Sequence, residues 1–162
     1  MVVELDVDVK TKNLEILDKY SNLFTKNSPL GKKYFRSAKG IVWKHIGQRF
    51  RSGGGSRQWA PLKPMTLMLR KHGGSAIMQD SGTLLRSVSG GTGSKSITGT
   101  SRLVIGTNVK YARPLNDGAT IMIFGRHKAN LPARPFMYFD APMKDELSKA
   151  LKFHLDNVKA IS

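Results

Sequence analysis

The chain has 162 residues, 40% of them hydrophobic and 23% charged, which are globular proportions and predict one domain over residues 1–162. It holds no cysteine, which excludes a disulfide scaffold and thiolate metal sites, and no apolar run approaches the ~20 residues of a membrane-spanning helix. The net charge is +16 and unevenly placed: from Lys19 to Phe139 the acids are Asp80 and Asp117, against 21 Lys and Arg.

Surfaces charged for solubility mix their signs. The basic middle therefore predicts a polyanion or an acidic protein surface as neighbour. At the N-terminus Val3, Leu5, Val7 and Val9 alternate with Glu4, Asp6, Asp8 and Lys10, the period of a strand with one polar face. So acidic a start is not expected of a signal peptide, and the chain is expected to stay in the cytoplasm where it is made. Asn13 can cap a helix carrying Leu14, Leu17, Tyr20 and Phe24.

Ser28 as cap and Pro29 in the first turn open the strongest predicted helix, residues 29–51. Tyr34, Ala38, Ile41, Val42, Ile46 and Phe50 form its apolar stripe, which Phe35 extends. Lys32, Lys33, Arg36, Lys39, Lys44, Arg49 and Arg51 cover the rest. No acid stands among them, so the helix lacks the internal ion pairs of an ordinary solvated face. These seven are the candidates for facing a polyanion or a partner.

Residues 52–57 read as a flexible glycine loop, and 58–64 as a segment kept extended by Pro61 and Pro64. Thr66 can cap a short helix through Arg70 and Lys71. Residues 80–87 are a turn into a short helix or strand. Residues 90–100, rich in glycine and serine, are expected to form a mobile hairpin loop. Strands are predicted at 102–106 and 121–124, with a turn at 111–118 between them and a basic loop at 125–128. Pro132 and Pro135 then stiffen residues 130–140 into an arm carrying Phe136, Tyr138 and Phe139. Such an arm suits an edge or a connection, and an ordinary strand-to-helix link anchored by aromatics fits these residues equally. Asp140 caps the closing helix, about 141–158, whose apolar face is Met143, Leu147, Leu151, His154, Leu155 and Val158.

Catalytic patterns are missing. His45, His72, His127 and His154 have no partners at metal-ligand spacing. Asp80 and Asp117 are no adjacent acidic pair. Residues 91–96 lack the glycine directly before Lys95 that a phosphate loop needs, and no G-x-S-x-G elbow occurs. No enzyme, metal or cofactor is expected.

From Trp59 onward four segments stand in a familiar order. Trp59, Pro61 and Leu62 are followed by Thr66, Leu67 and Lys71. Ile77, Gly82, Leu84 and Ser87 make the second segment. Val104, Gly106, Thr107 and Asn108 precede Tyr111, Ala112 and Gly118 in the third. Pro132, Ala133, Arg134, Pro135 and Phe136 form the fourth, P-A-R-P-F, before the last helix. Together these resemble the tailed-phage virion morphogenesis family of Mu-type tail completion proteins, related to neck and tail-terminator proteins. The likeness covers roughly residues 58–140; the first 57 residues match only in helical character, and 141–162 form the closing helix. The chain departs at residues 113–117, where family members often carry histidine and glutamine, and at Met78 and Met137, where leucine is usual.

The resemblance implies an α+β fold, with a small antiparallel β-sheet packed against a long basic helix and a C-terminal helix, joined by extended loops. It implies a structural protein of the virion's head–tail junction that caps the tail tube and lets the head join. Its partners would be other copies in a ring, a hexamer by family likeness, then the tail tube protein and the head-side connector or neck proteins. Genomic DNA passing through the channel would be a further neighbour, and no membrane is involved. The alternative from charge alone is a free-standing nucleic-acid-binding protein without enzymatic activity. If the arm is an interface, replacing Arg134 and Phe136 with alanine should leave a folded monomer that cannot join particles.

Overall fold

The computed structural model describes residues 2–6, 28–72, 74–123 and 125–159. The expected helix at Asn13–Phe24, strand positions Val7 and Val9, and Phe124 lie outside these residues. Strand β1 is Val2–Asp6. Helix α1, Pro29–Ser52, starts as its sequence dictates, with the Gly31 N–H donating to Ser28 Oγ at 3.4 Å. It stops where Gly53 takes a φ of 71° and the Gly54 N–H turns back to the Arg49 carbonyl at 2.8 Å. Then come α2 (Pro64–Met68), α3 (Thr83–Val88), β2 (Ser94–Thr98), β3 (Arg102–Thr107), α4 (Ala112–Asp117), β4 (Ala119–Ile123), β5 (His127–Leu131) and α5 (Ala141–Lys159). This is the α+β arrangement the resemblance implies.

The chain divides into two compact units. One is built from Trp43–Lys95 and Gly106–Tyr138, the other from Val2–Val42, Ser96–Ile105 and Phe139–Ser162. In the second unit α5 packs on the first half of α1. Leu30, Tyr34, Phe35, Ala38 and Val42 are buried there, as are Leu103 and Ile105 of β3 and Met143 and Leu147 of α5. The expected apolar stripe of α1 is thus the buried one, except that Ile41 is half-buried. His154 of α5 meets the Ser37 hydroxyl at 3.1 Å and the Tyr34 ring edge-on. Asp140 caps α5 as expected, accepting from the Met143 N–H at 3.2 Å. Gly31 is needed where it stands, because a Cβ there would lie 1.8 Å from the Thr100 carbonyl oxygen.

The strands form a three-stranded sheet in the order β1-β3-β2 and a two-stranded ribbon, β4-β5. In the ribbon, Ala119 pairs with Leu131, Ile121 with Ala129 and Ile123 with His127, so Ala119, Ile121, Ala129 and Leu131 share one face. The first unit is centred on Phe50, whose ring lies 5.3 Å from Trp59 and 5.4 Å from Phe136, between centroids. Leu84, Val88 and Ala112 are buried in it too.

Several expectations are corrected. Residues 94–98, expected in a loop, are strand β2, because β3 supplies the ladder that their weak propensity needs. The turn expected at 111–118 is largely helix α4, with Pro114 tolerated in its first turn. His127 and Lys128, expected in a loop, start β5. Helix α2 starts after Lys63 with Pro64 in its first turn, so Thr66 lies inside it and is not its cap.

Candidate assembly interface

The P-A-R-P-F segment makes no sheet ladder, since Pro132 and Pro135 have no N–H and hold the chain extended. Its backbone groups must therefore find other partners. Trp59 Nε1 donates to the Pro135 carbonyl at 2.8 Å. The Arg134 N–H donates to the Leu115 carbonyl at 2.8 Å. Asn116 Oδ1 accepts from both the Phe136 and Met137 N–H groups, at 3.0 and 3.2 Å. Arg49 Nη1 donates to the Phe136 carbonyl at 3.0 Å. The Tyr138 hydroxyl donates to the Gly54 carbonyl at 2.8 Å, under an Arg49 guanidinium 3.8 Å from its ring centroid.

Arg134 points back across this clamp. Its Nε donates to the Ala60 carbonyl at 3.1 Å and its Nη2 to the Pro61 carbonyl at 3.3 Å. Burial lowers the guanidinium's pKa from its ordinary value, though arginine remains charged at any physiological pH. Arg134 is 5% exposed and Phe136 wholly buried. These two are accordingly internal to the unit, as the strand-to-helix link among the two readings of the arm requires. What they position is the segment from Trp59 to Leu69.

The segment is short of cover. Helix α2 has no buried residue, although four of its five residues are apolar or proline. Met65 is 68% exposed, Met68 85% and Leu69 64%. Beside it opens a cleft of about 580 Å³. Leu62, Met65, Thr66 and Leu69 line one side, and Ile121, Ala129 and Leu131 on the apolar face of the ribbon line the other. Leu67 is exposed as well, whereas Met122, also exposed, lies on the opposite face of the ribbon. Lys63 lines the cleft as well.

The remaining candidates divide by burial. Leu84, Ser87 and Ala112 are buried, as is Gly106. Ser87 accepts from the Thr107 hydroxyl at 2.8 Å and donates to the Leu84 carbonyl, stitching α3 to the end of β3. Gly82, with a φ of 70°, precedes α3, and Gly118, with a φ of 79°, lies close under Leu131 and Ala133. Pro132, Ala133 and Tyr111 are exposed and Pro135 half-buried. Tyr111 borders a smaller hollow of about 230 Å³ whose Asp80 is paired with His72.

On α1, Lys32, Lys33, Arg36, Lys44 and Arg51 are exposed and Lys39 is half-buried. Arg49 corrects the expectation of an outward face, being only 2% exposed. It follows Val42 by seven residues and so falls on the apolar stripe, a spacing that signals inward placement. Asn116 is the residue that sequence reasoning missed. It sits among the departures at 113–117, and only contacts from twenty residues away give it a role.

Among the described residues no three His, Asp or Glu side chains could hold a metal ion together, and no helix is long and apolar enough to cross a membrane. No curated protein and no solved structure matches the chain. A family description does, over residues 32–156, which takes in α1 from Lys32, the clamp, the cleft and most of α5. The chain belongs to the phage virion morphogenesis family.

Proposed function

We propose that this protein is a structural subunit of the virion that completes the tail, forms a ring at the head–tail junction and lets the head join. The observation that supports the reading most is the exposed apolar surface of α2 and its cleft, presented by a segment clamped rigidly from behind. Burying Met65, Met68 and Leu69 in a neighbour would contribute about 1.5–3 kcal/mol each. That is comparable with the lower estimates of the cost of associating two proteins. The cleft is concave, so it suits a different, convex surface of the next copy, the head-to-tail contact from which rings close. Family membership and the stiff proline segments agree with such a role.

The test is complementation of a phage lacking this protein, read by electron microscopy of lysates. Without it, filled heads should lie beside unjoined tails. The double change Met65→Gln, Leu69→Gln should give a folded protein that leaves the same unjoined parts. Normal virions with a defect only in DNA replication or expression would overturn the reading in favour of a free-standing nucleic-acid-binding protein.

A further inference from the structure

The exposed face of α1 in the second unit is built against the helix's own interest in two ways. Lys32 and Lys33 stand near its amino end, where the helix dipole is positive, and no acid offsets them anywhere from Pro29 to Ser52. Gly40 stands mid-helix, exposed, where glycine is less favourable than alanine. A Cβ at Gly40 would have nothing within 4 Å among the described residues, so no packing among them explains it. Gly31, by contrast, is demanded by the Thr100 carbonyl.

Lys33, Arg36 and Gly40 follow at intervals of three and four, so they lie along one face, with Lys32 beside them. All three cations are exposed. None of these four residues is an apolar anchor of the kind that centres a protein–protein contact. It is a line of positive charge with a gap in its side chains where another molecule's backbone can come close.

We propose that Lys32, Lys33, Arg36 and Gly40 form a binding face for the phosphodiester backbone of duplex DNA, read without regard to sequence. The lysines and the arginine neutralise phosphates, and Gly40 lets the strand approach the helix. This face shares no residue with the apolar cleft and does not depend on it.

The experiment is fluorescence anisotropy of the purified full chain with a labelled 30-base-pair duplex between 50 and 200 mM salt. Three phosphate contacts give a logarithmic salt slope of about −2.7, which is roughly a fortyfold loss of affinity over that range. The triple change Lys32→Gln, Lys33→Gln, Arg36→Gln should weaken binding by at least about tenfold and flatten the slope by about 2.7. Lys95→Gln with Lys110→Gln, both exposed and elsewhere, should change it by no more than about twofold. Gly40→Ala should raise Tm by about 2–4 °C and yet weaken DNA binding, a pair of signs that a merely solvated glycine does not produce. Equal loss from both sets of glutamine changes, unaltered affinity in Gly40→Ala, or competition by polyglutamate as strong as by unlabelled duplex would overturn the proposal. The last outcome would assign the face to an acidic protein.

Discussion

Replacing Arg134 by alanine distinguishes a clamp from an interface. The guanidinium makes two hydrogen bonds to the Ala60 and Pro61 carbonyls and is almost fully buried. Hydrogen bonds from a charged donor contribute about 1.5–3 kcal/mol each, and stranding a buried acceptor adds to the loss. The two bonds share one side chain and are not fully additive, so the expected destabilisation is about 3–5 kcal/mol. In a protein of this size each kcal/mol moves Tm by about 2–4 °C, so the fall should be roughly 6–20 °C. Arg134→Lys keeps the charge but not the two-pronged donor, and should lose about half as much. Thermal and urea unfolding followed by circular dichroism, with size-exclusion chromatography of the same samples, gives the answer. An Arg134→Ala protein melting within about 1 °C of the parent, yet unable to enter particles, would refute the clamp and restore the arm as an exposed interface.

Two other changes probe the same framework. Asn116→Ala leaves the Phe136 and Met137 N–H groups without their acceptor and should cost about 2–4 kcal/mol, with faster hydrogen exchange at those two amides; unchanged exchange there would contradict the assignment. Burial raises the Tyr34 phenol above its ordinary pKa of 10.0, so the fold favours its neutral form. That contribution is complete below pH 10 and is lost as pH climbs through the higher folded value, because the unfolded chain ionises first. Tyr34→Phe should therefore remove part of the fall in Tm measured between pH 9 and 11, and an identical alkaline profile would show that Tyr34 plays no part in it.

Much of this protein is legible in its residues. The apolar stripe of α1, its Ser28–Pro29 start and the Asp140 cap of α5 follow from spacing and local capping, which act within one or two turns of chain. The order of the four motifs was enough to suggest the family. Sequence could not place β2, since Ser94–Thr98 has little strand propensity of its own and becomes a strand by pairing with β3. Nor could it separate the roles inside P-A-R-P-F. Arg134 has the composition of a surface contact and the position of a buried one, a distinction made by carbonyls more than seventy residues away.

What the sequence determined by itself is therefore the local part: helix limits, the buried stripe, the absence of cysteine chemistry and the concentration of positive charge. Tertiary structure alone decided which conspicuous residues face inward. It turned Arg134 and Phe136 into the unit and left Met65, Met68 and Leu69 outside it. The reason is physical. Hydrophobicity states that a side chain favours leaving water, but only the arrangement of distant segments decides whether this chain provides the cover or a neighbour must.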